Sequence, residues 1–305
     1  MKWQPDVSRG TWIGERLDRG SLTASMHSVV PHGFEAYARV FHPIEGQRPI
    51  GSTWDEIRRD PEAWPRGWEE RSATWHSLAD EFGVTWHPLV QWGSIARASG
   101  EDGNWNGIPG PDGWRFSEPD QGSIDPGLLA AISRVLARFT STPEAGQVAV
   151  WEGHGGLFSN DGFASITLYS DDELQPETGA IGIVDVEAQV ITPPPPLGPE
   201  VDAGPRLLLP GRAHVLFDAG IRELADDAWP DRAPWVREPG FAPVTPSLVW
   251  PEDRAWVLVG EIDYDSTVIG GSAELVAALR ATPGLEVEAI PEGADLSSLG
   301  DRLNA

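Results

Sequence analysis

AWVLVGEIDYDSTVIGGSAELVAALRATPGLEVEAI, residues 255–290, is the stretch whose reading decides the fold class. AWVLVGEID (255–263) alternates along its length and is apolar on both faces at its start, as a buried strand is. Ser272 precedes AELVAALRA (273–281), in which Leu275, Val276 and Leu279 share a helical face, and a hydroxyl there caps the first turn. Pro283-Gly284 ends the helix, and LEVEAI (285–290) reads as a returning strand. Between strand and helix, STVIGGS (266–272) is expected to be a loop, because two adjacent glycines permit backbone angles closed to other residues. The unit is strand–loop–helix–strand.

Working outward, FEAYARVFH (34–42) carries alternating aromatics and predicts a strand. Residues 72–82 place Trp75, Leu78, Ala79 and Phe82 at helical spacing. Asp125-Pro126 is a helix start, and the run that follows puts Leu128, Leu129, Ile132, Val135, Leu136 and Phe139 on one face. Further strands are expected at 147–152, 163–169, 181–191 and 213–218, with a helix at 219–226. Strands outnumber helices without alternating strictly with them, which predicts an α+β protein with mainly antiparallel or mixed sheets and a few helices. A polyproline stretch, 192–200, is either a surface loop within one unit spanning 1–305 or a joint between a Trp-rich part, 1–191, and an acidic part, 201–305.

Composition excludes several functions. The chain has 305 residues, 47 acidic against 22 basic, for a net charge of −25. Such a balance disfavours nucleic acid, which is held through Lys and Arg on phosphates, and disfavours an anionic membrane surface. Without Cys there is no disulfide, thiolate metal site or cysteine nucleophile. The single Lys, Lys2, removes P-loop and Schiff-base chemistry. With no signal-peptide pattern and no long apolar run, the expected location is the cytoplasm. Charge and aromatics are distributed unevenly: residues 151–305 carry a net of −19, whereas ten of the fifteen Trp lie between Trp3 and Trp114.

The blocks VVPHGFEAYARVFHP (29–43), HPLVQW (87–92), VAVWEGHG (148–155) and WPEDRAWVLVGEIDYDSTVIGGSAEL (250–275) resemble a family of bacterial proteins of about this length, from GC-rich genomes, that has no established activity. The resemblance spans nearly the whole chain and implies one integrated unit. It carries over no cofactor and no catalytic residue.

The residues themselves offer few sites. Glu261, Asp263 and Asp265 recur every second position and repel one another unless solvent, a cation or Arg compensates them. With Ser266, Gly270, Gly271 and Ser272 of the following loop they would form a site for a divalent cation or a cationic group; equally, they would mark a strand emerging into water. His154, in EGHGG after a strand, resembles an oxyanion-hole loop, but no GxSxG accompanies it, which favours a plain Gly turn. Asp102, Asn104 and Asn106 match the first half of a calcium loop, yet Gly113 stands where its Glu belongs. Neither His27 with His32 nor His76 with His87 has metalloprotease spacing. Trp54, Trp64, Trp68, Trp75, Trp86, Trp92, Trp105 and Trp114 would line a sugar or peptide groove or fill a core. The expectation is a non-catalytic binding or interaction protein, adaptor or immunity-like, for a basic partner or cationic ligand, with no cofactor. The alternative is a metal-dependent hydrolase or transferase using the carboxylates.

Overall fold

A computed structural model describes residues 1–18, 25–100, 107–154, 157, 197–236 and 244–305. The strands among them are β1 Lys2–Trp3, β2 Ala36–Phe41, β3 Ile44–Pro49, β4 Trp68–Ala73, β5 Ile108–Pro109, β6 Arg115–Phe116, β7 Gly146–Trp151, β8 Leu207–Leu209, β9 Arg212–Asp218, β10 Leu248–Pro251, β11 Val257–Val259, β12 Ser266–Gly271 and β13 Val287–Ile290. Nine form one sheet in the order β1-β9-β7-β10-β11-β12-β2-β13, with β8 paired to β9; the other four form a small sheet, β4-β3-β6-β5. Every pairing is antiparallel. The fold is α+β and sheet-rich.

Side-chain alternation builds two cores from the large sheet. Val148, Val150, Val215, Phe217, Val249, Leu258 and Ile269 face the helices Pro126–Leu136 and Ala273–Arg280 on one side. Ala149, Leu216, Leu248, Trp250, Val257, Val259 and Val268 face Trp12, Ile13 and Met26 on the other. Both faces of the central strands are therefore dry, which explains their almost unbroken apolar runs. Beneath the small sheet, Phe41, Trp75, Trp92, Ile95 and Phe116 close a third cluster. Strands β7 and β9, from either side of the proline-rich segment, are neighbours in the large sheet. No described helix is long and apolar enough to cross a membrane.

Local signals set the helix starts. Asp125 Oδ1 accepts from the Leu128 amide at 2.8 Å, with Pro126 in the first turn. Ser272 Oγ accepts from the Leu275 amide at 3.1 Å. Replacing Ser272 with Ala should lower stability by about 1 kcal/mol, read as a drop in the urea midpoint at unchanged slope.

Four expectations are corrected. The segment 266–271 is not a loop but strand β12, paired on both sides. Its glycines make room rather than a turn: a Cβ at Gly270 would lie 2.6 Å from the Phe34 ring, and one at Gly271 2.6 Å from Leu275. The preceding strand stops at Val259 instead of running to 263, because β11 and β12 are hairpin partners and the chain must reverse between them. Third, the helix expected over 72–82 starts at Trp75 under a Thr74 cap, Ser72 being in β4; that over 219–226 shrinks to Ile221–Leu224. The strands expected at 163–169 and 181–191 lie outside the described residues, as do Trp105 and the calcium-loop candidates Asp102, Asn104 and Asn106.

Candidate functional site

The hairpin loop 260–265 carries the acidic residues, and its shape follows from two backbone contacts. Gly260 N–H donates to the Ser247 carbonyl at 2.8 Å, and Tyr264 N–H donates to the Glu261 carbonyl at 3.0 Å. Gly122 lies directly against this loop: its N–H donates to the Tyr264 carbonyl at 3.0 Å, and a Cβ there would meet Ile262 Cα at 2.6 Å. Its positive φ of 69° adds a second reason for glycine. Glu261, Asp263 and Asp265 thus sit on a turn, not on one face of a strand.

Arginine compensates all three. Arg212 donates from Nε to Glu261 Oε1 at 2.8 Å and from Nη2 to both Glu261 and Asp263, the latter at 2.8 Å. Burial alone would lower the Arg212 pKa, but the hydrogen bonds and charge of Glu261, with those of Asp263, outweigh it and raise it. Asp265 is held by Arg39, a fully buried residue in the middle of β2, at 2.9 Å. Arg39 also donates to Ser266 Oγ at 2.9 Å and to the Val90 carbonyl at 2.8 Å, and its guanidinium lies 4.3 Å from the Phe41 ring centre.

Two recesses flank the loop. The larger, about 1000 Å³ including its open mouth, is lined by Glu118, Gln121, Glu261, Asp263, Tyr264 and Asp265, with Gln91, Trp92, Val29 and Leu296 among its other walls. Burial, and then the like charge of Asp265, hold the Glu118 carboxyl above the usual range; Gln121, at 3.1 Å, is its hydrogen-bond partner. Tyr264 is pushed up to about 12, first by burial and then by the Glu261 charge. The smaller recess encloses about 390 Å³ of empty space, part of it open to solvent, and is mostly apolar. Arg212, His214 and Ser247 line it together with Leu209, Leu248 and Val259.

His154 comes to the same place from the end of β7. Its ring is edge-on to Trp151 at 5.4 Å, and burial followed by the nearby Arg212 charge lowers its pKa to about 4. Of the sequence candidates, then, the fold gathers Glu261, Asp263, Asp265, Ser266 and His154 around two arginines. Gly270 and Gly271 lie at the far end of β12, four to five residues on and roughly 13–17 Å away. Ser272 serves the helix cap.

Sequence reasoning passed over Arg39, Arg212, His214 and Glu118. A lone Arg between Tyr37 and Phe41 in an otherwise apolar strand was a usable signal: a charge there has to find a buried partner. Arg212 and His214 share a strand face as R-x-H, a pattern too common to stand out.

Among the described residues one trio, His27, His32 and Glu292, has ligand atoms close enough for a metal. His27 is already engaged at both nitrogens, Nδ1 with the Val30 carbonyl at 2.9 Å and Nε2 accepting from the Gly293 N–H at 3.1 Å. His32 bridges Asp18 at 2.9 Å and Glu292 at 3.3 Å, and the Asp18 hydrogen bond raises its pKa. The trio is already engaged: His27, with both nitrogens occupied, stacks at 3.5 Å on His32, which is ion-paired to Asp18. His87 similarly bonds Asp301 at 2.7 Å, anchoring the C-terminal segment. Of the tryptophans, Trp75 and Trp92 are core, whereas Trp54, Trp64 and Trp68 cluster on the outside of the small sheet.

Comparison of the chain with family models, with curated proteins and with solved structures found no match.

Proposed function

We propose that this chain is a non-catalytic binding protein, adaptor or immunity-like, that takes a cationic group of a basic protein partner into the acidic recess beside the 260–265 loop. The observation that carries this reading is Glu118. It shares the recess with Asp265, is raised by burial and by that neighbouring charge, and is bonded to the neutral Gln121. A guanidinium or ammonium entering there would relieve the repulsion, while Trp92, Val29 and Leu296 offer apolar walls to its alkyl stem. The net charge of −25 would speed encounter with a cationic surface and oppose binding to nucleic acid. The reading places the protein in the cytoplasm and requires no cofactor.

The alternative, a metal-dependent hydrolase or transferase, is less well supported. Its three carboxylates spend their charge on Arg212 and Arg39, and a divalent cation would have to displace both.

The test is titration of the full chain with an oligo-arginine peptide, followed by intrinsic Trp fluorescence, with an oligo-glutamate control. Binding should weaken severalfold between low salt and about 0.15 M salt, and Glu118→Gln should weaken it at either. Equal response to both peptides, or an unchanged affinity in Glu118→Gln, would sink the reading. The same titration with magnesium or manganese in place of peptide addresses the alternative.

A further inference from the structure

Glu118 stands in the wall of the acidic recess and also in the wall of a separate cleft that the proposed partner binding leaves unused. This cleft holds about 760 Å³ of room for water, and about 1450 Å³ with its open mouth counted. The smaller figure lies within the roughly 300–1,000 Å³ of small-molecule sites. Hydroxyls and carboxylates dominate its walls, among them Glu45, Ser72, Ser117, Asp120 and Asp125. Ser72 Oγ donates to Glu45 Oε1 at 3.0 Å, and the Asp120 carboxylate makes no hydrogen bond or ion pair among the described residues. The lining is therefore rich in acceptors with capacity to spare.

The cleft continues onto the exposed face of the small sheet. Strands β3 and β4 pair Glu45 with Ser72, Gln47 with Glu70 and Pro49 with Trp68. Directly opposed residues two apart along a strand share a face, so these three pairs form one row leading away from the cleft. Arg115, opposite Gln47 on β6, lies on the same face, with its guanidinium 5.7 Å from the Trp54 ring centre. The row ends at an aromatic cluster: Trp68 has Trp54 tilted against it at 5.1 Å and Trp64 edge-on at 6.1 Å. Trp64 is 69% exposed. From Glu45 to Pro49 the strand rises ~13 Å.

Charge selects the occupant. An anion would meet Glu45, Asp120 and Asp125 in the cleft, where no Arg or Lys lines the walls among the described residues. A polycation would meet Arg115 beside Trp54, and Arg66 in the stretch between Trp64 and Trp68. A neutral chain of sugars meets neither penalty. Its hydroxyls donate to carboxylates, which can only accept, and the C–H faces of its rings lie flat on indoles. We propose that this groove binds a neutral oligosaccharide, its hydroxyls held by Glu45, Ser72, Ser117 and Asp120 in the cleft and a further sugar ring stacked on the Trp54, Trp64 and Trp68 cluster.

Cellohexaose, maltohexaose, xylohexaose and the N-acetylated chitin hexamer are the neutral probes, each titrated into the full chain by calorimetry. The deacetylated chitin hexamer, with an ammonium on every ring, is the cationic control. At least one neutral hexamer should bind saturably, and about tenfold more tightly than its own disaccharide, which is too short to hold both the cleft and the tryptophans. Its affinity should be equal at low salt and at about 0.15 M salt, since no ion pair is made. Trp64→Ala should weaken it about tenfold, the scale of one lost aromatic contact, with Trp64→Phe recovering most of the loss and the oligo-arginine titration unchanged in both. Asp120→Ala should weaken it from the cleft end. The high exposure of Trp64 and Asp120 lets both variants fold. No saturable binding by any neutral hexamer, tighter binding of the deacetylated than of the acetylated chitin hexamer, or an unchanged affinity in Trp64→Ala would overturn the proposal.

Discussion

Replacing Asp265 with Ala should destabilise the protein by about 3–5 kcal/mol, the cost of leaving a buried charge without its counter-ion. Arg39 has no exposure to solvent, and burial lowers its pKa against the opposing pull of Asp265. With the carboxylate gone, the guanidinium keeps Ser266 and two backbone carbonyls as acceptors but no negative charge within contact. Breaking one partner is far worse than replacing both by apolar groups. The double variant Arg39→Met with Asp265→Ala should therefore recover a large part of the loss, Met filling the space between Phe41 and Trp75. Urea unfolding of the two single variants and the double variant measures this directly. A loss below about 1 kcal/mol for Asp265→Ala, the range of an exposed pair, would show that solvent reaches Arg39 and that the pair is not buried as described.

Lowering the pH from 6.5 to 4 should cost roughly 3 kcal/mol through His214 alone, and more with His154. Burial pushes the His214 imidazole down to about 4, with the Arg212 charge adding to it. The unfolded chain takes up a proton near the ordinary value of 6.5, whereas the folded chain refuses it until about 4. In that window the unfolded state binds more protons, so stability falls as pH falls, and it levels off below 4. His154 acts in the same direction and with the same value, but it is the less buried of the two, and its share is smaller. His32 does not offset this. Its pKa is raised, so its contribution is fully present below 6.5 and is lost only as pH rises through the folded value. Asp301, held down to about 2 although burial opposes it, costs stability only further into acid, below its ordinary 3.8. Urea midpoints at pH 7, 5.5 and 4 check the expectation, and His214→Phe should flatten the decline. A wild-type midpoint that does not move across that range would mean that His214 is accessible to solvent.

How much of this could be read in advance differs from element to element. Asp125-Pro126 and Ser272 announce their helices because a cap acts within three residues. The strands β2, β7 and β9 were legible within a residue or two, since their alternation is local as well. Strand β12 was misread for the opposite reason. Its glycines look like a turn, and only the close approach of Phe34 and Leu275 shows that they are gaps left for neighbours. The three carboxylates were visible as a cluster, and the need for compensation was visible with them; the identity of the compensating groups was not.

By itself the sequence determined the α+β class, the acidic surface, the helix caps and the absence of cysteine chemistry, because each depends on composition or on contacts within a few positions. Tertiary structure alone decided that Glu261 and Asp263 meet Arg212 across 49 and 51 residues, and that Asp265 meets Arg39 across 226. It decided likewise that His214 and Arg212 line one recess, with His154 near enough to feel the Arg212 charge. Those meetings depend on the order in which nine strands assemble and on their registers. Strand pairing is set by the packing of the whole core, and it leaves no mark on the local spacing of the charges it brings together.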